Sequence, residues 1–304
     1  MNITASMVKE LREKTAAGML DCKKALAEAE GNMDRAIDLL REKGLAKAAK
    51  KSDRIAAEGL VGIVVSEDGK KAAMVEVNSE TDFVAKNEEF IGFVDNIANI
   101  ALANNPSDLE GLLASSYENE GTVKDALNSK IARIGENMSI RRFSVLSVES
   151  GRISGYVHGA GKIAVLVKME ASNDSEKLDI LGKDIAMQMA AMNPRYISRA
   201  DVDPEYIAHE KEILVQQALN EGKPQNIVEK MVEGRLQKQL KEVCLLDQTF
   251  VKDSDKTVQD IVNETSKEIG SEIKLVDVIR FEVGEGIEKK EENFAEEVAK
   301  QLGN

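Results

Sequence analysis

The side chains best suited to nucleophilic or metal chemistry are few here: His158, His209, Cys22 and Cys244. They lie in separate segments with no histidine beside a cysteine, so a zinc set or a Cys–His nucleophile pair lacks raw material. A serine nucleophile would need one of the two histidines oriented by a carboxylate, and no Gly-x-Ser-x-Gly elbow is present. "HGAGKI" at 158–163 carries the Gly-Lys of a phosphate loop. Tyr156, however, stands where that loop needs its first glycine, and Ile163 stands where Ser or Thr should follow Lys162. The segment also leads into a strand, whereas a phosphate loop opens a helix. "GEGIE" at 284–288 reads as a turn before a last helix. The expectation is a chain that is not an enzyme, with no metal, no cofactor and no directly bound nucleotide. The 54 Asp and Glu residues keep one enzymatic alternative open, carboxylates working in a cleft between subdomains.

With catalysis short of parts, the sparse aromatics gain weight. Seven residues are phenylalanine, and one of them, Phe83, follows Asp82 in "EVNSETDFVAKNEEF" at 76–90. Spacing favours a core role, because Phe83 sits seven residues before Phe90 on one helical face. Two features weigh toward an outward role. Thr81 and Asp82 put polar groups at the helix start, and Val84 can serve the buried stripe with Ile91 and Val94. A phenylalanine buried in a partner would contribute about 1.5–3 kcal/mol, enough for an interface anchor.

The elements that position these residues follow from length and periodicity. A chain of 304 residues predicts two or more domains. An apolar fraction of 42% beside a charged fraction of 31% predicts a folded, soluble protein. No apolar run approaches bilayer length, and "MNITASMVKELREK" lacks the apolar stretch of a secretory signal, so a bacterial cytoplasm with reduced cysteines is expected. The net charge of −13 argues against a nucleic-acid partner. It is unevenly spread: residues 1–54 hold 12 Lys or Arg against 9 Asp or Glu, a balance of +3 on an acidic body of −16.

Residues 4–44 read as three short amphipathic helices. Their stripes are Met7, Val8 and Leu11; Met19, Cys22, Ala25 and Leu26; and Met33, Ala36, Ile37, Leu39 and Leu40. Asn32 is the expected N-cap and Gly44 the expected C-cap, and the following "LAKAAKKSDRIAAEG" reads as a tether. From residue 59 the period becomes strand-like, with a hairpin signal at Glu67-Asp68-Gly69-Lys70. A helix over 81–103, a helical region over 107–135 and a strand at "NMSIRRFSVLSV" follow. The order then recurs from "RISGYVHGAGKIAVLVKMEAS". Gly155 sets on Gly62, Lys162 on Lys70, and "IRFEV" at 279–283 echoes "RRFSV" at 141–145. Between these lies an antiparallel helical hairpin with Gly222 ending one helix and Pro224 opening the next. An amphipathic helix with Ile287, Phe294 and Val298 ends the chain.

"TDFVAKN" after a strand resembles the signature segment of the elongation factor Ts family, as does "LREKTAAGMLDCKKAL" at 11–26. "RIGENMSIRR" at 133–142, "GKPQNIVEKMVEGR" at 222–235 and "RFEVGEGIEKK" at 280–290 resemble its later blocks, in the same order along the chain. Ala16 and Leu20 depart from the head signature, and Lys162 and Ala164 stand where Arg and Gly are usual. The resemblance implies an α+β fold in five parts. These are a ubiquitin-associated-like three-helix domain with its linker (1–54), two duplicated strand-strand-helix-strand subdomains (55–150, and 151–203 plus 241–284), an inserted coiled-coil hairpin (204–240) and a C-terminal helical module (285–304). It implies guanine-nucleotide exchange on elongation factor Tu. Thr81, Asp82, Phe83 and Val84 would displace Mg²⁺ in that partner's G domain, while Arg12, Met19, Leu20, Ile134 and Gly135 make further contacts. His158 would touch a second domain of the partner, and the hairpin would serve either self-association or partner contact. The competing reading is a protein-binding scaffold without exchange activity.

Overall fold

In the computed structural model the described residues are 3–15, 17–118, 120–222 and 224–288. Ala16, and the part of the expected terminal helix from 289 onward with Phe294 and Val298, lie outside them. The fold is mixed α and β, with a three-helix region first and antiparallel sheets after it.

Helices α1 (Ala5–Thr15), α2 (Met19–Glu28) and α3 (Met33–Ala49) close around Leu11, Cys22, Ala25, Leu26, Ala36 and Leu39. Asn32 opens α3 as its residue type predicts, its Oδ1 accepting the Arg35 N–H at 2.9 Å. Gly44 does not close it. The helix runs on to Ala49 because its second half packs on the body: a Cβ at Gly44 would lie 3.8 Å from Ala132, and Ala48 is buried in the main core. Arg41 adds an ion pair to Asp125 at 2.7 Å. The first part of the expected tether is therefore docked helix.

The first sheet has the order β1 (Glu58–Val65), β2 (Lys71–Ser79), β3 (Met138–Ser147), all antiparallel. Its outer face meets α5 (Glu88–Asn104) through Val75, Val77, Phe90, Val94 and Ile97 and also touches α7 (Val123–Ile134), while α6 (Leu109–Ala114) packs on those two helices. The helical region expected over 107–135 is thus two helices, the second opened by a Thr122–Asp125 capping box. The second sheet has the order β4 (Gly151–His158), β5 (Ile163–Glu170), β8 (Lys274–Glu282). Its outer face meets α8 (Glu176–Met192), and α11 (Val258–Ile269) packs on α8 in the same core. The inner faces of the two sheets pack on each other through Val61, Met74, Leu146, Ile153 and Leu166.

The first two strands of each sheet match in register at one offset. Gly62 faces Val75 in the first sheet and Ser154 faces Val167 in the second, both 92 residues on, and each central strand bulges at the same place, Glu76/Val77 and Lys168/Met169. Gly155 is thereby one residue out of step with Gly62 and on the opposite face: a Cβ there would meet Ile63 of the other sheet at 2.6 Å, whereas one at Gly62 would meet Val94 of α5. The "RFSV" echo also slips. Phe143 packs toward the helices, while Phe281 lies between the sheets, in the position of Leu146.

Between α8 and β8 the chain makes α9 (Pro204–Asn220) and α10 (Gln225–Val243), with Gly222 at φ +72° and Pro224 as N-cap. Val228, Val232, Leu236 and Leu240 form their buried seam, and Ile227 is exposed. A short ribbon of β6 (Thr249–Phe250) and β7 (Asp253–Thr257) follows. Gln188 pins that return: its Oε1 accepts the Val251 N–H, and its Nε2 donates to Gln248 and Thr249.

Candidate functional site: a braced tip beside the first sheet

Strand β2 delivers the chain to a single helical turn, α4 (Asp82–Ala85). Thr81 is its N-cap, extended at φ −124° and ψ 157°, its Oγ1 accepting the Val84 N–H at 3.4 Å. The spacing predicts one helix over 81–103, but the helix breaks after Ala85. Asn87 starts α5 afresh, its Oδ1 accepting the Glu89 N–H at 2.8 Å. The break takes Phe83 off the face that carries Phe90. Phe83 is 80% exposed while its neighbour Val84 is 7% exposed and packed in the main core. Ile91, the expected companion of Val84, is itself exposed.

Asp82 pairs with Lys86 one turn on, at 2.6 Å. The Lys86 hydrogen bond holds the Asp82 carboxyl below its ordinary range, with the charges of Lys86 and Lys162 adding to it. Lys162 reaches this end of the molecule from the second sheet, where it also pairs with Glu58 at 2.6 Å. Its turn is fixed to β1: the Gly161 carbonyl accepts the Val61 N–H at 2.8 Å, and residues 159–161 all take positive φ. His158 closes β4 just before that turn, exposed, with Nδ1 3.0 Å from the Tyr156 hydroxyl.

The turn after α7 braces the tip from behind. Gly135 caps α7 at φ +88°, a left-handed conformation that suits glycine, and so turns the chain back. Glu136 then grips Thr81 with both oxygens, Oε2 accepting the backbone N–H at 3.0 Å and Oε1 accepting the hydroxyl at 2.8 Å. Asn137 donates its backbone N–H to Glu80 and its Nδ2 to the Arg54 carbonyl at 2.7 Å. Lys51 donates to the Gly135 carbonyl. Ile134 is half-buried against the core. The linker out of α3, the 134–137 turn and the tip are thus one hydrogen-bonded assembly.

Of the residues singled out from sequence, Thr81, Asp82, Phe83, Val84, Ile134 and Gly135 are brought together here, with the His158 turn connected through Lys162. Arg12, Met19 and Leu20 stand apart on the three-helix region. Met19 and Leu20 are 61% and 73% exposed at the start of α2, so Met19 does not belong to the stripe that spacing assigned it. Glu136 and Lys162 were missed as site residues. Neither has a periodic signal, and a glutamate just past a helix-capping glycine is the sole local cue to the first.

The tip projects, and two cavities of the described residues lie apart from it. A cavity of about 520 Å³ lies between α3 and α7, and another of about 890 Å³ opens among Lys70, Lys168 and Lys274, both away from residues 81–84. Among the described residues no group of His, Cys, Asp and Glu is arranged to hold a metal, and no helix is long and apolar enough to cross a membrane. An exposed aromatic on a rigid base is a means of entering another macromolecule, not of enclosing a small one.

The family described as Elongation factor TS matches residues 80–285, a span that opens at this tip. The chain is 63% identical to Elongation factor Ts of Clostridioides difficile (strain 630) over 301 residues, covering 99% of each chain. It belongs to the elongation factor Ts family. Elongation factor Ts of Clostridium novyi (strain NT) is 57% identical over 302 residues, and that of Clostridium perfringens (strain SM101 / Type A) 56% over 301, again with 99% of each chain covered. Membership places the chain among translation elongation factors and not in a class of enzymes.

Proposed function

We propose that the chain is a guanine-nucleotide exchange factor of the cytoplasm that binds elongation factor Tu in its GDP state and promotes GDP release. The observation that carries this reading is the split at the tip, Phe83 outward and Val84 inward on a base clamped by Glu136. In this reading Asp82 and Phe83 enter the partner's G domain and disturb its Mg²⁺ and phosphate site. Thr81 and Val84 hold the turn in shape, and Ile134 and Gly135 flank it. The exposed Met19 and Leu20, with Arg12, make a second contact with the G domain from a ubiquitin-associated-like head. His158 and its turn meet another domain of the partner. The matching registers at an offset of 92 residues support a body built from one duplicated unit, with α9 and α10 inserted in the second copy. The hairpin's exposed Ile213, Leu219 and Ile227 suit a further contact, with the partner or with a second copy.

The mechanism is thermodynamic. A protein that binds the nucleotide-free partner better than the GDP-bound one weakens GDP by the same factor. The tip supplies that preference if its aromatic is buried only once the nucleotide site has opened. Release of a fluorescent GDP analogue from a bacterial elongation factor Tu, followed with and without the chain, tests the reading. Strong, saturable acceleration is expected; an unchanged rate at saturating protein would leave the scaffold alternative.

A further inference from the structure

We infer that Glu136 is a positioning residue for exchange, holding the Asp82–Phe83 turn in its productive orientation without itself entering the partner; this rests on the exchange reading above. Thr81 is the last residue before α4, and its backbone N–H and hydroxyl both point donors at one carboxylate, at 3.0 and 2.8 Å. A carboxylate is the side chain that accepts both at once through two oxygens. The Thr81 hydroxyl oxygen in turn accepts the Val84 N–H, so the grip passes through the cap into the one-turn helix that carries Phe83. A four-residue helix is too short to hold itself, because nucleating a turn fixes several dihedrals for one hydrogen bond. Its orientation must come from outside, and two anchors supply it: Val84 in the core and Glu136 on the cap.

The same turn ties the tip to the chain leaving the three-helix region. Asn137 donates to the Arg54 carbonyl, Lys51 donates to the Gly135 carbonyl, and Arg54 lies 3.5 Å from Glu80. Glu136 is therefore at the junction of head linker, α7 and tip, where a small loss of constraint alters the aim of an exposed aromatic more than the fold.

The test compares Glu136→Ala, Glu136→Gln and Phe83→Ala, alone and combined, in GDP-analogue release from elongation factor Tu over a range of protein concentrations. Loss of aim lowers the maximal rate and leaves the half-saturating concentration in place. Partial unfolding does the reverse, since fewer active molecules raise the apparent half-saturating concentration. Glu136→Ala is expected to cut the maximal rate about tenfold, the order of one charge-assisted hydrogen bond. Glu136→Gln should recover part of that, because its amide oxygen still accepts the N–H. In the Phe83→Ala background Glu136→Ala should add little, since there is no aromatic left to aim. A normal maximal rate in Glu136→Ala, while Phe83→Ala is slow, overturns the inference alone. A normal rate in Phe83→Ala overturns the reading of the Asp82–Phe83 tip as the effector, on which the inference stands, while an unaccelerated rate with the intact chain overturns exchange itself.

Discussion

Phe83→Ala separates the two roles that a phenylalanine at this position could have. In the free chain Phe83 is 80% exposed, so truncation removes little that folding had buried. Stability should stay within about 0.5 kcal/mol, as for other surface substitutions. Inserted into a partner, the same side chain contributes about 1.5–3 kcal/mol. If that contact forms only as the nucleotide leaves, its loss falls on the release step and slows it by about 10- to 150-fold, at 1.36 kcal/mol per decade. Val84→Ala is the matched control. Val84 is 7% exposed in the main core, and deleting two buried carbons there should cost about 1.5–3 kcal/mol in stability through lost transfer energy and residual cavity. The assay pairs urea denaturation of each variant with stopped-flow release of a fluorescent GDP analogue at saturating protein. Phe83→Ala should be stable and slow; Val84→Ala should be less stable, with a release defect no larger than its unfolded fraction explains. A Phe83→Ala protein that unfolds early would make Phe83 a core residue, and one that exchanges at the full rate would show that Phe83 is not the anchor.

Other consequences follow from the body of the fold. Glu76 is fully buried between the sheets; burial pushes its carboxyl up, but the Gly284 N–H, Arg142 and Asn78 outweigh that and leave it below its ordinary 4.5. The unfolded chain then binds the extra proton, so the Glu76 contribution is whole above about pH 4.5 and fades as pH falls through the lower folded value. Glu76→Gln should lower stability near neutrality and flatten the acid limb, read as urea midpoints between about pH 6 and pH 3. Gly62→Ala should destabilise by about 1–3 kcal/mol, because its Cβ would come 2.6 Å from Val94, and Val94→Ala should restore part of the loss in the same denaturation assay. Arg41→Ala removes the exposed partner of a pair and leaves Asp125, mostly buried, to its Thr122 hydrogen bonds, so the global cost should be about 1 kcal/mol; faster amide exchange in α3 would report the loosened docking on α7.

Periodicity made much of this fold legible. The three helices of the head, the hairpin turn at Glu67–Lys70 and the order of the strands all carry strong local signals: capping residues, a switch from period 3.6 to period 2, and turn glycines. Register was not legible, because a one-residue slip in a strand reverses every side chain. That is how Gly155 could be matched to Gly62, although one meets the opposite sheet and the other a helix. The run of α3 past Gly44 depends on α7, with Asp125 lying 84 residues on from Arg41, which no local pattern announces. The tip is the sharpest case. Spacing alone puts Phe83 on the face of Phe90, and Asn87, a good N-cap before two glutamates, is the small signal that the helix restarts there. The brace from Glu136 joins residues 55 apart in sequence, so only the folded chain brings it to view.

Whether the chain trades its own binding against that of GDP is decided by a closed thermodynamic cycle with a bacterial elongation factor Tu. Calorimetry gives the affinity of the chain for that partner with GDP bound and with the nucleotide site empty, and GDP affinity is measured with and without the chain. An exchange factor should bind the empty partner much more tightly and weaken GDP by the same factor. Equal affinity for the two nucleotide states, with GDP bound as tightly in the complex as outside it, would contradict the exchange reading.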